Sequence, residues 1–187
     1  MIPTRWSVIT GAPTSGKTTI IMALGQLGFK HTSEVARPYI ESQIASGISL
    51  EEIKKDLATF QRSLSGLYLK AELELNPQDI VFLDRAMPDD LSYHKLFGTD
   101  SLEIMDQVKK FRYEHVFLFD RLPFQNDGVR VDDEKAAQFL DKQLEIDYQS
   151  LGYSVIRVPA MSIEERLQFV LNTVQAKPGS PTILANS

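Results

Sequence analysis

Apolar residues along the chain follow two rhythms that alternate from one end to the other. The first is a short run without alternation. Trp6–Thr10 is rich in β-formers and stops at Gly11, and Asp79-Ile-Val-Phe-Leu-Asp84 sets four consecutive apolar residues between two acids. His115–Phe119 and Ser154–Val158 repeat the pattern, and a shorter candidate lies at Lys30–Ser33. Runs of this kind are expected of strands buried on both faces of a parallel sheet. The second rhythm has helical spacing. It covers residues 16–27 before the stop at Gly28, and a stretch to about Ser46 with Pro38 in its first turn. The clearest case opens on the capping box Ser49-x-x-Glu52 and places Leu50, Ile53, Leu57, Phe60, Leu64, Leu67, Ala71 and Leu75 at steps of three and four. Asn76-Pro77 ends that helix.

Residues 88–97 and 100–111 read as two further helices. Another runs from Glu134 to Leu151, with Ala137, Leu140, Leu144, Tyr148 and Leu151 on one face and Gly152 behind it. Ser162-x-x-Glu165 caps a last helix through about Gln175. Strands alternating with helices imply βαβ units, hence an α/β fold with a parallel sheet and helices on both faces. With no repeat and no linker, the expectation is a single domain over residues 1–176 and a tail over residues 177–187, which holds two prolines and one charge. The turn-rich stretch from Asp120 to Val131, with Asn126-Asp127-Gly128 as its corner, reads as a mobile lid over residues 120–131.

Composition narrows the chemistry. A length of 187 residues and 43% hydrophobic content suit one full core. The net charge of -5 argues against a nucleic-acid partner, which needs a basic surface. The absence of cysteine removes disulfides, thiolate metal sites and thiol catalysis. It suits a reducing compartment. The opening MIPTRWSVITG has no apolar run of signal-peptide length, and nowhere is there an apolar stretch long enough to span a bilayer. A cytoplasmic protein without a membrane span is the expectation; the oligomeric state is not legible. The three histidines, His31, His94 and His115, are too scattered to suggest a metal site.

Between the first strand and the first helix stands Gly11-Ala12-Pro13-Thr14-Ser15-Gly16-Lys17-Thr18, followed by Thr19. This is G-x-x-x-x-G-K-[ST], the P-loop, in the strand–loop–helix context that confirms it. Its glycines let successive N–H groups converge on an anion, and the helix aims its unpaired N–H groups and dipole at the same phosphates. Lys17 is expected to reach the β- and γ-phosphates of ATP or GTP, and the Thr18 hydroxyl to ligate Mg²⁺. The metal shell also needs an acid at the end of another strand. Asp84, ending the most apolar strand, is the first candidate, with Arg85 beside it as a substrate contact; Asp120-Arg121 ends the next strand in the same way.

Together with the P-loop, the segments Thr32-Ser33-Glu34-Val35-Ala36-Arg37, Phe82-Leu83-Asp84-Arg85, Asp127-Gly128-Val129-Arg130 and Tyr153-Ser-Val-Ile-Arg-Val-Pro159 with Glu165-Arg166 resemble the AAA-like ATP-binding domain of the ribosylnicotinamide kinases joined to NAD-biosynthetic regulators. The likeness spans residues 6 to about 175 and implies a three-layer P-loop sandwich whose five parallel strands run in the order 2-3-1-4-5. It implies Glu34 near an acceptor hydroxyl, Arg37 on substrate or phosphate, and Arg130 as a lid arginine over the transferred phosphoryl. Arg166 reads as a packing or salt-bridge residue. These 187 residues hold neither the DNA-binding segment nor the adenylyltransferase domain of the bifunctional regulators, which leaves the acceptor open. The function implied is phosphoryl transfer from Mg·ATP to a small, nucleoside-like acceptor, with Lys17, Asp84, Glu34 and Arg130 as catalytic residues. The alternative is a GTP- or ATP-binding regulatory module controlling a partner. A guanine-reading N-K-x-D tetrad, which would favour that alternative, is absent. A mechanical ATPase of the AAA type is disfavoured because no small helical lid domain follows the core.

Overall fold

The computed structural model describes residues 1–122 and 134–175. They contain seven strands and eight α-helices, and five of the strands form one parallel sheet. These are β2 (Trp6–Thr10), β3 (Lys30–His31), β4 (Val81–Asp84), β6 (His115–Phe119) and β7 (Val155–Val158), arranged β3-β4-β2-β6-β7. Counted in chain order within this sheet alone, that is 2-3-1-4-5. The remaining pair, β1 (Ile2–Pro3) with β5 (Phe111–Arg112), is too short to leave a periodic signal in the sequence.

Alternation along each strand divides the core between the two faces of the sheet. Ile9, Phe82, Phe117 and Phe119 pack with Ile20, Ile21 and Leu24 of α1 (Lys17–Gln26) and with Val170, Leu171 and Val174 of α8 (Ile163–Gln175). Their neighbours Trp6, Val8, Val81, Leu83 and Val116 face the other way, against Tyr148 of α7 (Glu134–Ser150), Phe111 and Tyr153. Helices therefore cover both faces. Because all neighbours are parallel, the ends of β2, β4 and β6 emerge along one edge, where such sheets carry ligands.

The helix expected from Ser49 to Leu75 is two helices. After α2 (Ala36–Ala45), α3 (Leu50–Lys55) ends at Asp56, which sits at φ -129°, ψ 67°. Its side chain accepts from Thr59 N at 3.0 Å and so starts α4 (Leu57–Leu73). A local side-chain cap has overridden continuous apolar spacing. Similarly, the helix expected at 100–111 is a 3₁₀ turn (Leu102–Ile104) and one turn of α6 (Met105–Val108), because Phe111 enters β5. The helix before it, α5 (Met87–Phe97), has its expected place and ends at the left-handed Gly98.

Under this layer Glu72 is almost wholly enclosed, accepting from Tyr113 Oη at 2.8 Å and Met87 N at 2.9 Å. Burial lifts its carboxyl to about 7, and those two hydrogen bonds only partly oppose the rise. The folded chain thus keeps a proton that the unfolded chain releases near the ordinary 4.5. Stability from this group is complete below that value and is lost as pH rises to about 7. A Glu72→Gln variant keeps both acceptor contacts without the charge. We expect urea denaturation to show it more stable than wild type at pH 8, by up to about 3 kcal/mol, with the difference gone at pH 4.

Candidate active site

Gly11 ends β2 at φ 148°, and a Cβ there would lie 2.6 Å from the Phe119 carbonyl oxygen. Only glycine lets the loop pass that close to β6. Thr14 and Gly16 take left-handed conformations at φ 63° and 81°, which turns the loop into the first turn of α1. Lys17 opens that helix, and its ammonium folds back to donate to the Gly11 and Ala12 carbonyls, each at 2.9 Å, and to Ser15 Oγ at 3.1 Å. Burial, with the Arg85 guanidinium nearby, lowers its ordinary value of 10.5 to about 7.

One residue further, Thr18 Oγ1 donates to Asp84 Oδ2 at 3.2 Å. Asp84 reaches this position because β4 lies beside β2, and its own N–H is held by Thr32 Oγ1 at 3.1 Å. Burial raises the Asp84 carboxyl above the usual carboxylate range, against the pull of Lys17 and Arg85. Thr18 and Asp84 thus present two hard oxygen donors at the mouth of the loop, the donor type Mg²⁺ selects. Among the described residues no cluster of three or more His, Asp or Glu suits a metal by itself. An Mg²⁺ here would complete its shell with phosphate and water. Asp120 does not meet the loop: its carboxylate pairs with Arg157 at 2.7 Å.

A cleft of about 340 Å³ runs over Pro13, Thr14, Gly16–Thr19, Glu34, Arg37, Arg85 and Tyr93. Next to it lies a second cavity of about 210 Å³, largely apolar, walled by Phe60, Tyr68, Tyr93 and Phe97 and including the buried amide of Gln61. Glu34, Arg85 and Tyr93 line both, so the two spaces meet along these residues. Arg85 holds the seam from a left-handed backbone at φ 68°, rare for a side chain of its size. Its guanidinium lies 5.1 Å from the Tyr93 ring centre and 3.4 Å from Asp89 Oδ1. Arg37 is mostly exposed, with Nε 4.0 Å from Glu34 Oε2. Arg130 and most of the expected lid fall outside the described residues, as does the tail. Next to that segment, Arg121 forms a fork with Glu134 at 2.7 and 2.6 Å.

Arg166 has more to do than filling space. It is 2% exposed and donates to three backbone carbonyls: Ser15 at 2.6 Å, Pro159 at 2.8 Å and Asp120 at 2.9 Å. It thereby ties the P-loop to the ends of β6 and β7. The sequence gives this role no signal, nor does it single out Asp89, Gln61 or the aromatic wall, because each sits at an ordinary helix position.

With the loop, the strand-end acid and the two clefts in place, comparison with known proteins is informative. A family model described as an AAA domain matches residues 6–166. The chain belongs to that family. Among solved structures, it is similar to deoxyadenosine kinase from M. mycoides at 17% identity, TM-score 0.68, over 91% of this chain and 98% of that one. Thymidylate kinase from Ehrlichia chaffeensis aligns at 13% identity and TM-score 0.63, over 92% of this chain and 99% of that chain. A NadR protein in complex with NR aligns at 18% identity and TM-score 0.64, over 98% of this chain but 54% of that one. The AAA-domain chain therefore shares the fold of P-loop nucleoside and nucleotide kinases. No curated protein matches it by sequence. Among the described residues no helix is long and apolar enough to cross a membrane.

Proposed function

We propose that this chain transfers the γ-phosphoryl group of ATP to a small, flat-ringed, nucleoside-like acceptor. The observation that carries the reading is the pair of clefts meeting at Glu34, Arg85 and Tyr93, one along the P-loop and one lined by aromatic rings. A nucleotide-binding switch needs only the first cleft. The second has the apolar walls and the few polar groups of a small-molecule site.

In this reading the donor's phosphates lie over the loop. They draw the Lys17 ammonium off the Gly11 and Ala12 carbonyls and restore its full charge. Thr18 and Asp84 supply oxygen ligands for Mg²⁺, which when bound neutralises phosphate charge. The acceptor ring stacks among Phe60, Tyr93 and Phe97, with the Gln61 amide against its edge, and its hydroxyl faces the seam. Glu34 orients that hydroxyl and takes its proton, while Arg85 steadies the charge spread over the moving phosphoryl oxygens. Arg37 assists from the rim. Arg130 is proposed as the group that arrives on closure of residues 120–131.

The test is a panel of nucleosides and ring-bearing vitamins incubated with Mg·ATP, read by mass spectrometry for phosphorylated product. With the true acceptor in hand, Glu34→Gln should bind Mg·ATP within about threefold of wild type while kcat falls about 10²- to 10⁴-fold, the range of a general base. A fully active Glu34→Gln enzyme would return Glu34 to the role of an acid near the start of α2.

A further inference from the structure

Asp89 is buried in the wall of the smaller cavity, yet it collects hydrogen bonds from four donors in three parts of the chain. Ala86 N donates to Oδ2 at 3.2 Å across the first turn of α5. Thr10 Oγ1, from the last residue of β2, donates to Oδ1. Tyr148 Oη, from near the end of α7, donates to Oδ2. Arg85 Nη1 makes the fourth contact, with Oδ1. A helix-capping acid needs only the first of these. The others converge from the root of the P-loop, from the helix after residues 123–133 and from the arginine between the two clefts.

We infer that Asp89 is a positioning residue that fixes the Arg85 guanidinium at the seam between donor and acceptor. The inference rests on the phosphoryl-transfer reading above for its catalytic consequence, though not for its geometry. Arg85 has few ways to stay in place by itself. Its backbone is in a region that bulky side chains rarely adopt, and its contact with the Tyr93 ring, at 5.1 Å from the ring centre, carries no hydrogen-bond direction. Asp89 supplies direction as well as counter-charge, and three other donors hold its carboxylate still. A buried guanidinium without that partner would seek Glu34 or Asp84, both of which line or adjoin the cleft. It would then leave the seam, and misplacement of a catalytic group by about 1 Å can cost on the order of 10²-fold in rate.

Asp89→Asn keeps the shape and the Ala86 contact while removing the charge, and we expect kcat to fall about 30- to 100-fold with Mg·ATP affinity within about threefold. On an Arg85→Ala background the same substitution should cost less than about twofold, since the group it positions has gone. A merely structural Asp89 would instead give equal losses on both backgrounds and overturn the inference. Should Asp89→Asn fail to fold, Tyr148→Phe removes a single donor to the carboxylate and enters the same cycle, with about a tenfold loss expected on the wild-type background only. A second readout does not depend on any reaction. In ¹⁵N-arginine-labelled protein, the Arg85 Nε–Hε resonance, assigned by its loss in Arg85→Lys, should be sharp and slow to exchange in wild type, and shifted and broadened in Asp89→Asn and Tyr148→Phe. An unmoved resonance contradicts the inference. If no acceptor is phosphorylated even by wild type, the kinase reading fails and the resonance alone decides whether Asp89 positions Arg85.

Discussion

Replacing Lys17 by alanine should weaken Mg·ATP binding by at least about 10²-fold, the scale of losing charge-assisted hydrogen bonds to two phosphates. The fold should not suffer. Without nucleotide the ammonium is buried, and among the described residues it donates to Gly11, Ala12 and Ser15 of its own loop. Its removal therefore relieves a costly burial at the expense of local contacts, and thermal melting should stay within a few degrees of wild type. The lowering of Lys17 to about 7 adds a distinctive signature. Burial thus favours loss of the Lys17 proton in the unliganded protein as pH rises through about 7, whereas bound phosphate favours the cation. Binding is therefore expected to take up protons, with affinity falling as pH rises through about 7. Calorimetry in buffers of different ionisation enthalpy should detect this uptake in wild type and not in Lys17→Ala. Equal binding by the two proteins would remove Lys17 from the phosphate site.

Asp84→Asn should abolish most turnover, by on the order of 10³-fold, while the fold remains. An asparagine at this place still accepts from Thr18 Oγ1, and its N–H still meets Thr32, so geometry is preserved. What changes is the anionic oxygen offered to Mg²⁺. The variant should need far more Mg²⁺ for any residual rate, and titration of rate against Mg²⁺ measures this directly. The raised carboxyl of Asp84 sets the sign of the pH effect. As pH falls the group is protonated sooner than an exposed aspartate, so Mg²⁺ dependence should steepen in acid for wild type and stay flat for Asp84→Asn. Normal Mg²⁺ dependence in the Asp84→Asn variant would point to another metal ligand.

These two residues stand out in the sequence because the tasks proposed for them leave local marks. The P-loop is contiguous, and Asp84 closes an uninterrupted apolar run of the kind expected of a strand buried on both faces. Such runs marked β2, β4 and β6 most plainly, since these central strands are buried along their whole length, while the edge strand β3 is two exposed residues with no apolar run. What stayed hidden depends on distant pairing. The β1–β5 pair joins residues over a hundred positions apart through two-residue strands. The break at Asp56 depends on one side chain choosing Thr59 N over continuing the helix. Asp89, Gln61 and Arg166 are polar residues on otherwise ordinary helices. Their importance comes from what the fold brings to them: Tyr148 and Thr10 to Asp89, an apolar cavity to Gln61, and the Ser15 carbonyl to Arg166.

In the proposed reaction the γ-phosphoryl group goes to an acceptor rather than to water or nowhere. The direct measurement follows γ-³²P-labelled ATP with Mg²⁺ and the acceptor panel, separating label in ATP, in inorganic phosphate and in organic product. Label is expected to move into one class of flat-ringed hydroxyl compound, with little free phosphate, and Asp84→Asn should stop the transfer. Label that remains in ATP, or appears only as inorganic phosphate whichever acceptor is present, would contradict it and leave a nucleotide-binding switch or a simple NTPase.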